Sequence, residues 1–196
     1  MKKRNIADYL RLTRQIILSK RVGVRGFVQN DYAPIMQLAM SALPESVRML
    51  FESTLLFHLK CMEKGIDDGR RFWVYLHDAH HISIAGYQHR VSDPQDICWA
   101  GWFLVGKRVS PKLKISILGD MLGKCLQHAA FRTLFIEVYA GEAASNIYSI
   151  YKKFNLLEVG RIKDFYGNDE DLIIMSLDLD AIRAELRHNE IPFIVH

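Results

Sequence analysis

The stretch Ser145–Arg161, SNIYSIYKKFNLLEVGR, decides the fold. Ser145–Phe154 reads as an amphipathic helix carrying Tyr151. Asn155 ends it, and a strand over Val159–Tyr166 follows. A last strand, Leu172–Leu179, then forms a hairpin with it. Upstream, Leu134–Ala140 is a strand and Ile117–Ala130 a helix. Ile97–Val109 is long and apolar, as a strand buried on both faces must be.

Further back the pattern is antiparallel. Phe72–Leu76 is rich in aromatic and branched residues, His77–His81 turns the chain, and Ile82–Gln88 returns. Before them lie a strand over Val22–Val28, a helix over Ile35–Leu43 and a second helix opening at Pro44-Glu45 and running through Val47–Met62. Antiparallel strands thus lead into a βαβα unit and a final hairpin. That order predicts an α/β (α+β) chain with a central, mixed, mostly antiparallel sheet flanked by helices. Asp180–Arg187 reads as a short charged helix with an apolar tail, Ile191–Val195.

The 196 residues suffice for one domain with a real core. The longest apolar runs fall well short of the roughly 20 residues of a membrane span. Met-Lys-Lys-Arg opens the chain, but polar residues from Asp8 to Gln15 break up any signal-peptide core. Cys61, Cys98 and Cys125 are far apart and form no CxxC pair, which argues against disulfides and against a zinc site. Buried thiols and a cytoplasmic location are the expectation.

The net charge of +4 is unevenly placed. Residues 1–25 hold eight basic side chains against one acid, Asp8, so the remainder is net negative. Residues 1–21 therefore read as a basic helical arm, with Ile6, Tyr9, Leu10, Ile16 and Ile17 at helical spacing, ahead of a domain over 22–196. The arm either packs its apolar stripe on the domain or docks an acidic partner such as a carrier protein, nucleic acid or anionic lipid.

Two segments carry a family resemblance. Val109-Ser110-Pro111 is followed by Lys112, Leu113, Lys114, Ile115, Ser116, Ile117, Leu118 and Gly119. Ile150-Tyr151-Lys152-Lys153-Phe154-Asn155-Leu156 forms the second. Both resemble the core of the Gcn5-related N-acetyltransferases, the GNAT family: V-x-P, then R-G-x-G-x-G/A and a helix, then L-Y-x-K-x-G-F. The resemblance spans residues 22–179. It departs from the pattern at Ile115 and Ile117, which stand where glycines are usual, at Asn155, which replaces another, and at Ala144, next to Ser145 and Asn146.

The resemblance implies an N-acyltransferase. Its expected donor is acetyl-CoA, or another acyl-pantetheine thioester, and its acceptor is a primary amine on a small molecule, an amino acid or a protein. Val109, Lys114, Ile115, Ser116, Ile117, Leu118, Gly119 and Asn146 would hold the donor, and Tyr151 would protonate the departing sulfur. Free amides at a helix start suit a pyrophosphate. Ile115 and Ile117 tolerate positive φ poorly, so Lys112, Lys114, Lys107 and Arg108 are candidates to supply charge instead. The damaged glycine loop and the basic arm also suit an acidic acyl carrier protein as donor; a GNAT-like domain that binds without chemistry is the third reading. Nucleic acid is not an expected partner. No metal is expected.

The attacking amine must be neutral. An amine of pKa about 10.4 is some 3.4 units, or about 4.6 kcal/mol, from neutrality at pH 7. Glu137, Asp96, Glu142 and His89 are the candidate bases, and the sequence does not separate them.

Overall fold

The computed structural model describes residues 6–19, 22–77, 81–139, 145–167 and 171–188. The chain runs α1 (Ile6–Ser19), β1 (Gly23–Gly26), a 3-10 turn (Gln29–Asp31), α2 (Tyr32–Ala42), α3 (Glu45–Glu63), β2 (Arg70–His77), β3 (His81–Gln88) and β4 (Ile97–Leu104). Then come α4 (Pro111–Gln127), β5 (Thr133–Tyr139), α5 (Ser145–Lys153), β6 (Leu157–Ile162), β7 (Leu172–Asp178) and α6 (Leu179–His188). The seven strands form one sheet in the order β1-β2-β3-β4-β5-β7-β6. Every neighbouring pair is antiparallel except β4–β5, which is parallel.

Two apolar clusters cover the sheet. One joins α2 and α3 to β2–β4 through Ile35, Phe51, Leu55, Phe72, Val74 and Ile84. The other gathers α1, α4, α5 and α6 around Tyr75, Cys98, Leu134 and Met175. All three cysteines are buried and free. Burying these faces is the main force that closes the sheet between its helices.

The parallel join is short. Only Ile97↔Thr133, Cys98↔Leu134 and Trp99↔Phe135 pair across β4 and β5. Beyond them, Ala100–Leu104 and Ile136–Tyr139 pair with β3 and β7 but not with each other, so the sheet splays at its centre. A bulge sits at the same height: Gly101 and Trp102 of β4 face the single residue Gly86 of β3. Glycine is needed here, because a Cβ on Gly86 would run into the Arg71 carbonyl and the Phe72 side chain. Trp102, turned by the bulge, packs edge-on against Phe51 with ring centroids 4.9 Å apart.

Two boundaries correct the sequence reading. Strand β4 ends at Leu104, not Val109, and helix α4 begins at Pro111, not Ile117. Gly106 and the charged pair Lys107-Arg108 break the strand into a turn, closed by Val109 N–H to Gly106 O at 3.1 Å. Ser110 then caps the helix from extended backbone (ψ 146°), with Pro111 at its first position. The strand after Asn155 is likewise displaced, covering Leu157–Ile162. Helix α1 lies along α4 with Ile6, Thr13 and Ile17 buried. The tail Ile191–Val195 is outside the described residues.

Candidate active site

The splay between β4 and β5 opens at their carboxyl ends, the usual place for a ligand in a sheet with parallel neighbours. One wall leads through the turn Val105–Ser110 into α4. The other leads from β5 towards α5, which carries Tyr151. The helix N-terminus supplies partial positive charge and orphan amides. Ser110 Oγ accepts from Leu113 N–H at 3.4 Å, and Ser110 O accepts from Lys114 N–H at 3.0 Å. Pro111 has no N–H, so Lys112 is left with an amide lacking a carbonyl partner among the described residues.

Charge gathers at the same place. Lys107, Arg108 and Lys112 are exposed and Lys114 is half-buried. None of the four has a carboxylate partner among the described residues. Elsewhere the arginines mostly do: Arg71 meets Asp67 at 2.6 Å, and Arg161 meets Glu158 and Asp171 at 2.9 and 2.8 Å.

Tyr151 is buried, in the same apolar cluster as Val109, Leu113, Ile117 and Val138. Burial alone pushes its phenol pKa well above the usual value. Its hydroxyl makes no hydrogen bond among the described residues. It is therefore a neutral O–H donor held in an apolar setting.

Its helix ends in a motif that accounts for one departure from the family pattern. Leu156 N–H donates to Tyr151 O at 3.2 Å and Asn155 N–H to Lys152 O at 3.1 Å, the paired bonds of a Schellman cap. Asn155 sits at φ 62°, in the left-handed region that asparagine tolerates better than other side chains. Asparagine thus does the conformational work of the usual glycine. Phe154 and Leu156, both buried, pin the cap to the core.

Searches by sequence found no matching family model and no matching characterised protein. Solved structures do match. A Desulfovibrio desulfuricans protein assigned to the GNAT acetyltransferases superposes with TM-score 0.66 at 17% identity, over 81% of this chain and 99% of its own. The fold is the GNAT fold. The spermidine/spermine N-acetyltransferase SpeG of Vibrio cholerae matches with TM-score 0.62 at 10% identity, over 84% of this chain and 96% of its own. The ribosomal-protein-S18-alanine N-acetyltransferase of Escherichia coli matches with TM-score 0.59 at 15% identity, over 81% and 94%.

Within the GNAT fold, most of the expected donor-binding residues fall elsewhere than expected. Ile115, Ser116, Ile117, Leu118 and Gly119 lie inside α4, where their amides belong to the helix. Ser116, Ile117, Leu118 and Gly119 are buried. Gly119 faces α1, and a Cβ there would run into Thr13 Oγ1. It is a helix-crossing glycine, not part of a loop. Val109 is buried in the turn before the helix, and Lys114 is in the first turns. The side chain of Asn146 lies outside the described residues. The motif spacing had masked a plainer signal, Ser110 followed by Pro111, which marks a helix start.

The candidate bases separate by height in the sheet. Asp96 precedes β4, its carbonyl bound by Arg132 and Thr133 N–H, at the end opposite the splay. His89 Nδ1 bonds Ile97 O at 2.9 Å, at that same end. Glu142 lies outside the described residues. Glu137 stands on β5 past the last parallel pair, on the splayed segment. Its carboxylate meets Arg90 at 2.8 Å, and Arg90 in turn stacks 4.1 Å over Trp99. The Glu137 charge also helps burial raise the pKa of Tyr166, which places that phenol nearby.

Proposed function

We propose that the chain is an N-acyltransferase that uses acetyl-CoA and acetylates a primary amine. The observation that carries the reading is the central splay, whose β4 side leads into an unpaired cationic helix start and whose β5 side is followed in the chain by the helix of the buried Tyr151. The acceptors in the names of two neighbours, spermidine or spermine in one and a ribosomal-protein alanine in the other, are both amines. The acceptor class here follows theirs; its identity is open to assay.

The donor's phosphates would sit at the turn Gly106–Lys112. Lys107, Arg108 and Lys112 neutralise them, and the helix start adds its amides and dipole. The cradle is thus earlier in the chain than the family spacing implied, and it uses side-chain charge where glycine-lined backbone is usual. The pantetheine arm would enter between β4 and β5, where unpaired backbone N–H groups can polarise the thioester carbonyl.

Proton movement falls to two groups. Glu137, through a water if needed, takes the proton that the acceptor nitrogen must lose before it attacks and passes it on to solvent. Arg90 holds that carboxylate in place. The neutral amine attacks the carbonyl carbon, the C–N bond forms, the C–S bond breaks, the sulfur leaves with its electron pair, and the surplus proton on the new amide nitrogen passes to solvent. Tyr151 donates its O–H proton to that sulfur and regains one from solvent. In water a phenol of pKa about 10 would give up its proton to a thiolate of pKa about 8.5 only at a cost of some 2 kcal/mol. An apolar setting makes the thiolate more basic and shrinks that cost.

Substituting Tyr151→Phe is the direct test. Turnover with acetyl-CoA and a panel of amines should fall at least about tenfold, a floor set below the roughly 10²–10⁴-fold that a positioned acid contributes. Donor affinity by calorimetry should stay the same. Unchanged turnover defeats the assignment. A wild-type chain that binds a carrier-linked acyl-phosphopantetheine but not CoA moves the donor to a carrier protein. One that transfers no acyl group to any amine makes the domain a binding module.

A further inference from the structure

Helix α3 presents an outward face that nothing among the described residues covers. Met49, Leu50, Leu56 and Phe57 are 65%, 57%, 41% and 53% exposed. At 100° per residue they lie on one side of the helix, around exposed Ser53. The opposite side, with Phe51, Leu55, His58 and Leu59, is buried on the sheet. Together the four large side chains leave roughly 400 Å² of apolar surface open, within the range of about 300–600 Å² for the largest patch on a monomer, which is often functional.

The patch is symmetric about its middle. Counting outward from Ser53 in either direction gives an apolar pair three and four residues away, then a polar residue at seven: Ser46 on one side, Lys60 on the other. A surface that binds a copy of itself about a twofold axis needs this pattern, because each position must suit its mirror position. A different partner needs no such symmetry.

We propose that α3 pairs antiparallel with α3 of a second copy, on a twofold axis at Ser53. Met49 of one copy lies beside Leu56 of the other, and Leu50 beside Phe57. Ser53 meets Ser53, and its small size lets the helices approach. Its hydroxyl already donates to Leu50 O at 2.9 Å, so burying it strands no donor. The antiparallel sense also places Lys60 of each copy by Glu45 of the other, with Glu63 at the outer flank. Glu45 and Lys60 have no ion-pair partner in their own chain among the described residues. A parallel pair would set Lys60 against Lys60. The patch is smaller than the roughly 800 Å² per partner of a standard interface, so the dimer is weak and concentration-dependent.

Sedimentation of the full chain over a wide concentration range tests this. The mass should move from the 22.7 kDa of one chain towards twice that value. Ser53→Arg sets two like charges face to face and should weaken the dimer roughly a hundredfold, with an unchanged circular dichroism spectrum. Ser53→Cys should crosslink to itself under mild oxidation, while Val91→Cys, also open to solvent, should not. Monomers at every concentration overturn the proposal. So does a dimer unaffected by Ser53→Arg, or no Ser53→Cys crosslink. Binding of Met49, Leu50, Leu56 and Phe57 to lipid vesicles in place of self-association would assign the face to a membrane and overturn it too. None of these outcomes depends on acyl transfer.

Discussion

Replacing Gly119 by alanine separates two accounts of the same residue. If Gly119 belonged to a phosphate loop, a Cβ there would weaken donor binding and leave stability alone or raise it. The structure puts it at the crossing of α1 and α4, where the new Cβ meets Thr13 Oγ1, with Thr13 Cβ 3.2 Å and Cγ2 3.4 Å away. Turning Thr13 moves Oγ1 and Cγ2 but not its Cβ at 3.2 Å, so α1 must give by a few tenths of an ångström. Overpacking of this kind costs about 1–3 kcal/mol. Alanine in a helix interior returns about 1 kcal/mol relative to glycine. The net expectation is a loss of about 1 kcal/mol, or about 2–4 °C in Tm for a chain of this size. Thermal unfolding followed by circular dichroism reads this. The double variant Gly119→Ala/Thr13→Ala should recover the loss, because removing Oγ1 and Cγ2 makes room; such coupling is the signature of direct contact. Acetyl-CoA affinity should be unchanged throughout. A more stable Gly119→Ala protein with weakened acetyl-CoA binding would refute the reasoning.

Two further outcomes follow from the site. Glu137→Gln should lower turnover at pH 7 at least about tenfold, and the deficit should shrink as pH rises towards the amine's own pKa, because free amine then needs no base; a pH-independent deficit would make Glu137 structural. Asn155→Ala, at φ 62°, should cost about 1 kcal/mol in chemical denaturation while Asn155→Gly should cost nothing or stabilise slightly; equal effects of the two would argue against the cap.

The order of elements was legible because it is written locally. Amphipathic helices, aromatic strands and the punctuation at Pro44, Gly65 and Asn155 each state their own structure within a few residues. The antiparallel lead-in, the βαβα unit and the closing hairpin followed from that. Where the boundaries differ, an apolar run outweighed a local signal. Val105 and Val109 made the strand look continuous, although Gly106, Lys107 and Arg108 between them are poor material for a buried strand. The true helix start at Ser110-Pro111 carried its own mark. Gly119 is a different kind of miss. Its reason is a contact with Thr13, over a hundred residues away in the chain, and no local pattern records it. The same holds for the separation of Glu137 from Asp96 and His89, which depends on where the parallel pairing of β4 and β5 stops.

The account rests on the turn Gly106–Lys112 as the place where an acyl donor's phosphates are held. Calorimetric titration of acetyl-CoA into the wild-type chain and into Lys107→Ala/Arg108→Ala tests it most directly. The wild type should bind one equivalent. The double variant should bind about tenfold or more weakly, since each charged hydrogen bond contributes about 1.5–3 kcal/mol before solvent screening reduces it. Equal affinity of the two proteins, or no binding by the wild type, would contradict the account.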